Sequence, residues 1–166
     1  MDIPIIYLKD KQVFRKEAHI LKLLGKPIDV VKKLHADGYK LVHIVDMDAL
    51  SGSSTNLDVY DALTYFINIQ VECAPKIDLI HKLLSYRCRV VLVPSELDLS
   101  EIKEKNLLVA KISKNGEYHL DDFHDVILEE ADDASIKKFK AKGKRVIVFD
   151  DYKGTQLVFG ILTYSI

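Results

Sequence analysis

Residues 29–50 read DVVKKLHADGYKLVHIVDMDAL. Asp29 is a good helix starter, Val30, Val31 and Leu34 fall on one face, and Gly38 stops the turn. The run at 41–45 then reads as a short buried strand. It ends in two acids, Asp46 and Asp48. A helix, a buried strand and polar residues at the strand's C-terminal end make one unit of a parallel α/β fold.

Similar short runs rich in Ile and Val stand at 3–8, 67–71, 90–93, 107–112 and 146–149. Helical patterns lie between them. Asn56 is placed to cap LDVYDALTYFI, Pro75 opens PKIDLIHKLLSYR, and ASIKKFKAKG ends at Gly143. Two segments break the alternation. VAKISKNGEYHL carries Asn-Gly, the strongest short hairpin signal. VILEEADD reads as strand or helix. The last residues, TQLVFGILTYSI, are β-prone and follow DDYKG too closely for the usual parallel crossover. An antiparallel return or an edge strand is expected there.

Length and composition narrow the classes. The chain has 166 residues, 48% hydrophobic and 30% charged, which marks a globular chain. It is short for a full (β/α)8 barrel, which runs from about 200 residues upward. Lys plus Arg total 24 against 25 for Asp plus Glu, a net charge of -1. General binding to nucleic acid or to a membrane is therefore not expected. No secretory signal and no spanning stretch is read, so a cytoplasmic location is expected, with Cys73 and Cys88 as free thiols. No linker divides residues 1–166, which read as one domain.

The segment ending HIVDMDA resembles the sugar-phosphate isomerases of histidine biosynthesis. These convert phosphoribosylformimino-aminoimidazole carboxamide ribotide to its ribulosyl isomer. Thinner likeness extends through IPIIYLKDKQVFR, IQVECAPKIDLIHKLL, RVVLVPSEL, LVAKISKNGEYH and KRVIVFDDYKGTQ. The resemblance implies a (β/α)8 barrel with its site at the C-terminal strand ends. It also implies an acid on the first strand and another on the fifth. Here those positions are Tyr7 and the neighbourhood of Ile112, with Lys111 beside it. Glu72-Cys73-Ala74 stands where the family has phosphate-binding glycines. KRVIVFDD aligns with the family's sixth strand, which leaves two units unaccounted for.

The expected fold is α/β: a shortened or incomplete (β/α)8 barrel-like sheet of about six family strands with a C-terminal β segment. The expected protein is a degenerate relative of the isomerase, probing small ligands or proteins as a binding module and not turning over the ribotide. A homodimer through the C-terminal segment would cover the open edge. An enzyme with altered, metal-assisted chemistry and a barrel-completing structural subunit are the alternatives.

The candidate ligand-binding residues are the strand-end acids Asp46, Asp48, Glu72 and Asp150, joined by Glu96 and Asp151. Gathered in one crevice, they can bind a hard cation or act as acid and base; scattered, they cap helices. No cofactor is expected. SGSSTN at 51–56 offers hydroxyls and N–H groups for an anion at the next helix N-terminus, but it lacks a P-loop's second Gly and Lys and is expected to be a plain connecting loop. Cys73 lacks a nearby base. His43 is expected at the bottom of the sheet, and His119 and His124 in a solvated loop. The lysines of KKFKAKGKR should face water.

Overall fold

The computed structural model describes residues 1–166. Its strands are β1 (Asp2–Lys9), β2 (Gln12–Glu17), β3 (Ile20–Gly25), β4 (Leu41–Asp46), β5 (Asn68–Glu72), β6 (Arg89–Leu92), β7 (Leu108–Ser113), β8 (Asp125–Glu129), β9 (Arg145–Phe149) and β10 (Gly160–Thr163). The helices are α1 (Pro27–Ala36), α2 (Met47–Leu50), α3 (Tyr60–Leu63), α4 (Ile77–Ser85) and α5 (Asp133–Ala141). Short 3-10 turns occupy Leu57–Val59 and Lys105–Leu107.

Eight strands, β1 and β4 through β10, are parallel and close into a barrel, because β10 bonds both β9 and β1. The expectation of about six strands and an open sheet is corrected here. The chain saves length in its helices and keeps every strand. No α-helix lies between β6 and β7, β7 and β8, or β9 and β10. The run at Val146 is thus the seventh barrel strand, and VILEEADD supplies the sixth as β8. No whole strand is missing after Asp150.

The C-terminal segment is also corrected. Its strand runs parallel, with Ile161 opposite Val148 on one side and Asp2 on the other. A helix is not needed for this crossover. Residues 150–159 extended reach roughly 33 Å, about twice the length of a five-residue strand. Gly160 makes the closure close-fitting. A Cβ there would stand 2.4 Å from Ile3 Cδ1, so only a residue without a side chain lets β10 meet β1 undisturbed.

The Asn-Gly hairpin does not form. After β7 the chain turns at Gly116 and returns without a strand. Ser113 N–H donates to the Tyr118 hydroxyl across this turn at 3.2 Å. The helix expected to be capped by Asn56 is reduced to a 3-10 turn and one turn of α3, and Asn56 makes no cap there. The other helices form near their expected places. Asp132 builds a capping box with Ser135 at the start of α5. Gly38 and Gly143 take positive φ just past α1 and α5, the conformation that suits a helix stop.

Two cores follow from strand alternation. Outward side chains such as Ile6, Ile44, Val71, Val90 and Val126 pack with Val31, Tyr60, Ile80, Leu83, Ile136 and Phe139 from the helical layer. Inward side chains form a small cluster inside the barrel, including Ile5, Val91, Val109, Ile127 and Ile147. No helix is long and apolar enough to cross a membrane.

Candidate functional site

The barrel interior is only partly apolar. Six neighbouring strands each place a polar side chain in the same inward phase as the apolar cluster. Lys111 on β7 donates from Nζ to Glu72 Oε1 at 3.0 Å. His43 on β4 meets Glu72 Oε2 at 2.7 Å through Nε2. Gln70 Nε2 contacts His43 Nδ1 at 2.9 Å, and Arg89 Nε donates to Gln70 Oε1 at 3.2 Å. Arg89 reaches on to Asp125, which Arg145 also grips at 2.7 and 2.8 Å. A continuous polar chain therefore crosses the interior from one mouth to the other. Glu72 ends β5 at the C-terminal mouth, while Arg89, Asp125 and Arg145 begin β6, β8 and β9 at the N-terminal one.

Its hydrogen-bond directions are determined. Arg89 is a donor only, so the Gln70 atom it touches is the carbonyl oxygen. The Gln70 amide nitrogen then donates to His43 Nδ1, and His43 Nε2 carries the proton given to Glu72. Burial pushes the Glu72 carboxyl up, but the hydrogen bonds from His43 and Lys111, together with the Lys111 charge, outweigh it and hold the group below the usual carboxylate range. At Asp125 burial is likewise outweighed by Arg145 and Arg89, and its carboxyl is lowered. No buried side-chain polar atom lacks a partner.

Tyr7 stands at the C-terminal mouth beside this chain. Burial, Tyr164 and the negative charge of Glu72 all raise its hydroxyl pKa, so it stays protonated. Tyr164 stacks on Phe149 with ring centres 6.5 Å apart. On the fifth barrel strand the inward residue is Lys111; Ile112 is buried in the outer core.

The strand-end acids do not converge. Asp46 is buried on the outer side of the wall, where it accepts from Ala49 N–H, Asn56 Nδ2 and the Tyr60 hydroxyl at 2.8–2.9 Å. Burial raises its pKa. Asp48 accepts from Asp10 N–H and from the same Asn56 amide, each at 2.9 Å. Asn56 Oδ1 takes the Lys11 N–H at 2.8 Å. These three side chains tie the loop after β4 to the β1–β2 turn, where Asp10 and Lys11 have positive φ. Asp150 accepts from the Thr163 hydroxyl at 3.1 Å. Glu96 and Asp151 are exposed. Of the strand-end acids only Glu72 lies inside the barrel, away from the Asp46–Asp48 pair. No three His, Cys, Asp or Glu side chains gather as a metal site would require.

The remaining positions fall into place. Cys73 and Cys88 are free and buried, and burial pushes both thiols up to about 12, with the Asp46 charge adding to the shift at Cys73. His43 is inside the barrel and not at its bottom rim. His124 contacts Asp125 at 2.8 Å, and His119 lies at the surface near Asp121. On α5 Ile136 and Phe139 are buried. In the following turn Lys144 donates to Leu120 and Phe123 carbonyls, and Arg145 turns inward.

Gln70, Arg89, Asp125 and Arg145 carry no motif. Their signal is phase: each sits two residues from another inward residue, as in Gln70 and Glu72, Arg89 and Val91, Asp125 and Ile127, Arg145 and Ile147.

Comparison with known proteins finds partial matches. The chain is 33% identical over 99 residues to a 1-(5-phosphoribosyl)-5-((5-phosphoribosylamino)methylideneamino) imidazole-4-carboxamide isomerase of Nitrosopumilus maritimus, covering 54% of this chain and 41% of that protein. It is 36% identical over 97 residues to the isomerase of the same name from Cenarchaeum symbiosum, covering 54% and 42%. An uncharacterised protein of Methanocaldococcus jannaschii is 27% identical over 137 residues, covering 72% and 61%. The chain thus spans about half the length of the curated relatives it matches. No protein-family profile matches it.

Proposed function

We propose that this chain is a relative of the ribotide isomerases that does not carry out their reaction, and that it binds a small acidic ligand at the C-terminal mouth of its barrel. One observation carries the reading. Where the resemblance implies an acid on the first and fifth strands, the inward residues are Tyr7 and Lys111. Ring opening and proton transfer between carbons need a general acid and a general base facing each other. Tyr7 holds its proton too firmly to act as the base. Lys111 is a donor engaged with Glu72, and Glu72 is already taken up by His43 and Lys111. Beside Glu72, the mouth offers the hydrogens of the Lys111 ammonium that Glu72 does not take and two tyrosine hydroxyls, donors suited to a carboxylate or phosphate.

The alternative of metal-assisted chemistry at the strand-end acids has less support. Asp46 and Asp48 are occupied by Asn56, Tyr60 and backbone donors, and Glu72 lies apart from them.

The test is direct. Purified protein is incubated with the ribotide, and isomerisation is followed by absorbance or chromatography. No turnover is expected, and turnover above background overturns the reading. Melting temperature is then measured against sugar phosphates and small carboxylates. A rise that Lys111→Met abolishes is expected; a panel that leaves wild type unmoved, or a shift that persists in the variant, removes the binding half.

A further inference from the structure

The N-terminal mouth of the barrel holds a cavity of about 210 Å³ where β4, β5, β6, β7 and β10 begin. Lys40, Arg87 and Arg89 line it, with Asn68 beside them and Leu107 and Phe159 as apolar walls. No Asp or Glu lines it. Lys40 and Arg87 are exposed and take part in no ion pair.

Arg89 is a different kind of donor. Its side chain is only 11% exposed. Gln70 and Asp125 hold its Nε and Nη2, and its guanidinium carbon lies 5.7 Å from the centre of the Phe159 ring. A cation held this firmly loses little freedom when it binds an anion. Its Nη1 makes no hydrogen bond, yet no buried side-chain polar atom lacks a partner, so Nη1 opens to the cavity.

Charge at this mouth does not balance. Along the polar chain Lys111 is matched by Glu72, but Arg89 and Arg145 share the single carboxylate of Asp125. One cation is left over inside the wall, and Lys40 and Arg87 add two at the rim. Arg87 also carries backbone strain. It follows α4 with φ of +66°, the left-handed conformation that Gly38 and Gly143 take after α1 and α5. Glycine adopts it freely and arginine at a cost.

We propose that the N-terminal mouth is a second ligand site that takes a diphosphate group, either free pyrophosphate or the diphosphate end of a nucleotide. A single phosphate group carries about -1.5 to -2 charges, short of the three positive ones gathered here. A diphosphate group supplies the remainder, with oxygens for Arg89 inside and for Lys40 and Arg87 at the rim. Donors that converge on one cavity suit a compact anion. A nucleic-acid strand calls for a basic stripe, which a net charge of -1 does not favour. The site lies at the opposite end of the barrel from the C-terminal mouth and stands independently of the reading proposed there.

Binding to the full chain is measured by calorimetry without divalent cations, using pyrophosphate, ADP, ribose 5-phosphate and a short single-stranded oligonucleotide. Arg87→Gly suits the backbone and removes the cation, so it should melt no lower than wild type. Saturable binding of pyrophosphate is expected. Arg87→Gly and Lys40→Met should each weaken it about tenfold or more. Lys153→Met, an exposed position beyond the C-terminal end of β9, should leave it unchanged. ADP binding at least as tightly as pyrophosphate assigns the site to a nucleotide, and weaker ADP binding assigns it to free pyrophosphate; both support the proposal. Should Arg87→Gly fail to fold, Lys40→Met decides. Absence of pyrophosphate binding, binding that both variants leave intact, or an oligonucleotide that binds where pyrophosphate does not overturns the proposal. Ribose 5-phosphate binding as tight as that of pyrophosphate and equally dependent on Arg87 also overturns it.

Discussion

His43 Nε2 and Glu72 Oε2 lie 2.7 Å apart on adjacent strands, inside a barrel wall that leaves the histidine 1% exposed. This contact joins the two halves of the polar chain, because Glu72 holds Lys111 at the mouth and His43 holds Gln70 below. Removing one partner of a buried pair leaves the other without compensation. Glu72→Gln is therefore expected to cost about 3 kcal/mol in urea unfolding at neutral pH.

The same group sets an acid limb of stability. The folded-state pKa of Glu72 is depressed, so its contribution is complete above the unfolded value, about 4.3, and is lost as pH falls below it. Asp125 acts in the same direction. Asp46 acts oppositely, since its raised pKa costs stability as pH rises through that window. Unfolding free energy measured from pH 6 downward is expected to fall more steeply, over about pH 5 to 2, in wild type than in Glu72→Gln. Equal slopes would show that Glu72 is not the group responsible.

At the N-terminal mouth, Asp125 is fully buried and is the carboxylate shared by Arg89 and Arg145. Asp125→Asn leaves two guanidinium groups facing each other across a neutral amide. A loss of about 3–5 kcal/mol is expected in denaturant unfolding. A change below 1 kcal/mol, on the order of an exposed pair, would contradict the arrangement.

Asn56 makes three hydrogen bonds that no backbone group replaces. Asn56→Ala is expected to destabilise by about 1–3 kcal/mol. It should also speed amide hydrogen exchange at Lys11, whose N–H loses its acceptor. Exchange at Lys11 unchanged from wild type would refute the tie between the two loops.

Both thiols are buried, with pKa values near 12. An aromatic disulfide reagent at pH 8 is expected to leave the native chain unmodified and to react with two thiols after denaturation. Rapid labelling of the native chain would contradict their burial.

Much of the fold was legible along the chain. Strands at 3–8, 41–45, 90–93 and 146–149 announce themselves, because a strand covered on one side by helices and on the other by a filled barrel leaves little room for polar residues. The strand count was not legible. VILEEADD has only a few apolar residues, and the last strand follows a crossover with no helix to mark it. The polar interior escaped for a similar reason. His43, Arg89 and Arg145 each stand within or beside an apolar run, and only the partner across the barrel reveals that a charge is matched. Asp46 shows the reverse: an acid at a strand end reads like a site residue, while its actual partners, Asn56 and Tyr60, lie beyond the loop at 51–55.

The bond between β1 and β10 also dictates an order of assembly. Asp2 and Ile161 are neighbours in space but stand at opposite extremes of the chain. Their contact closes a loop running from residue 2 to residue 161, so its entropy must be overcome before the contact is gained. During synthesis the first strand waits beside an unfilled seam until the last has left the ribosome. Folding intermediates with seven strands in place expose two sticky margins, which makes completion of the ring the step most open to misassembly.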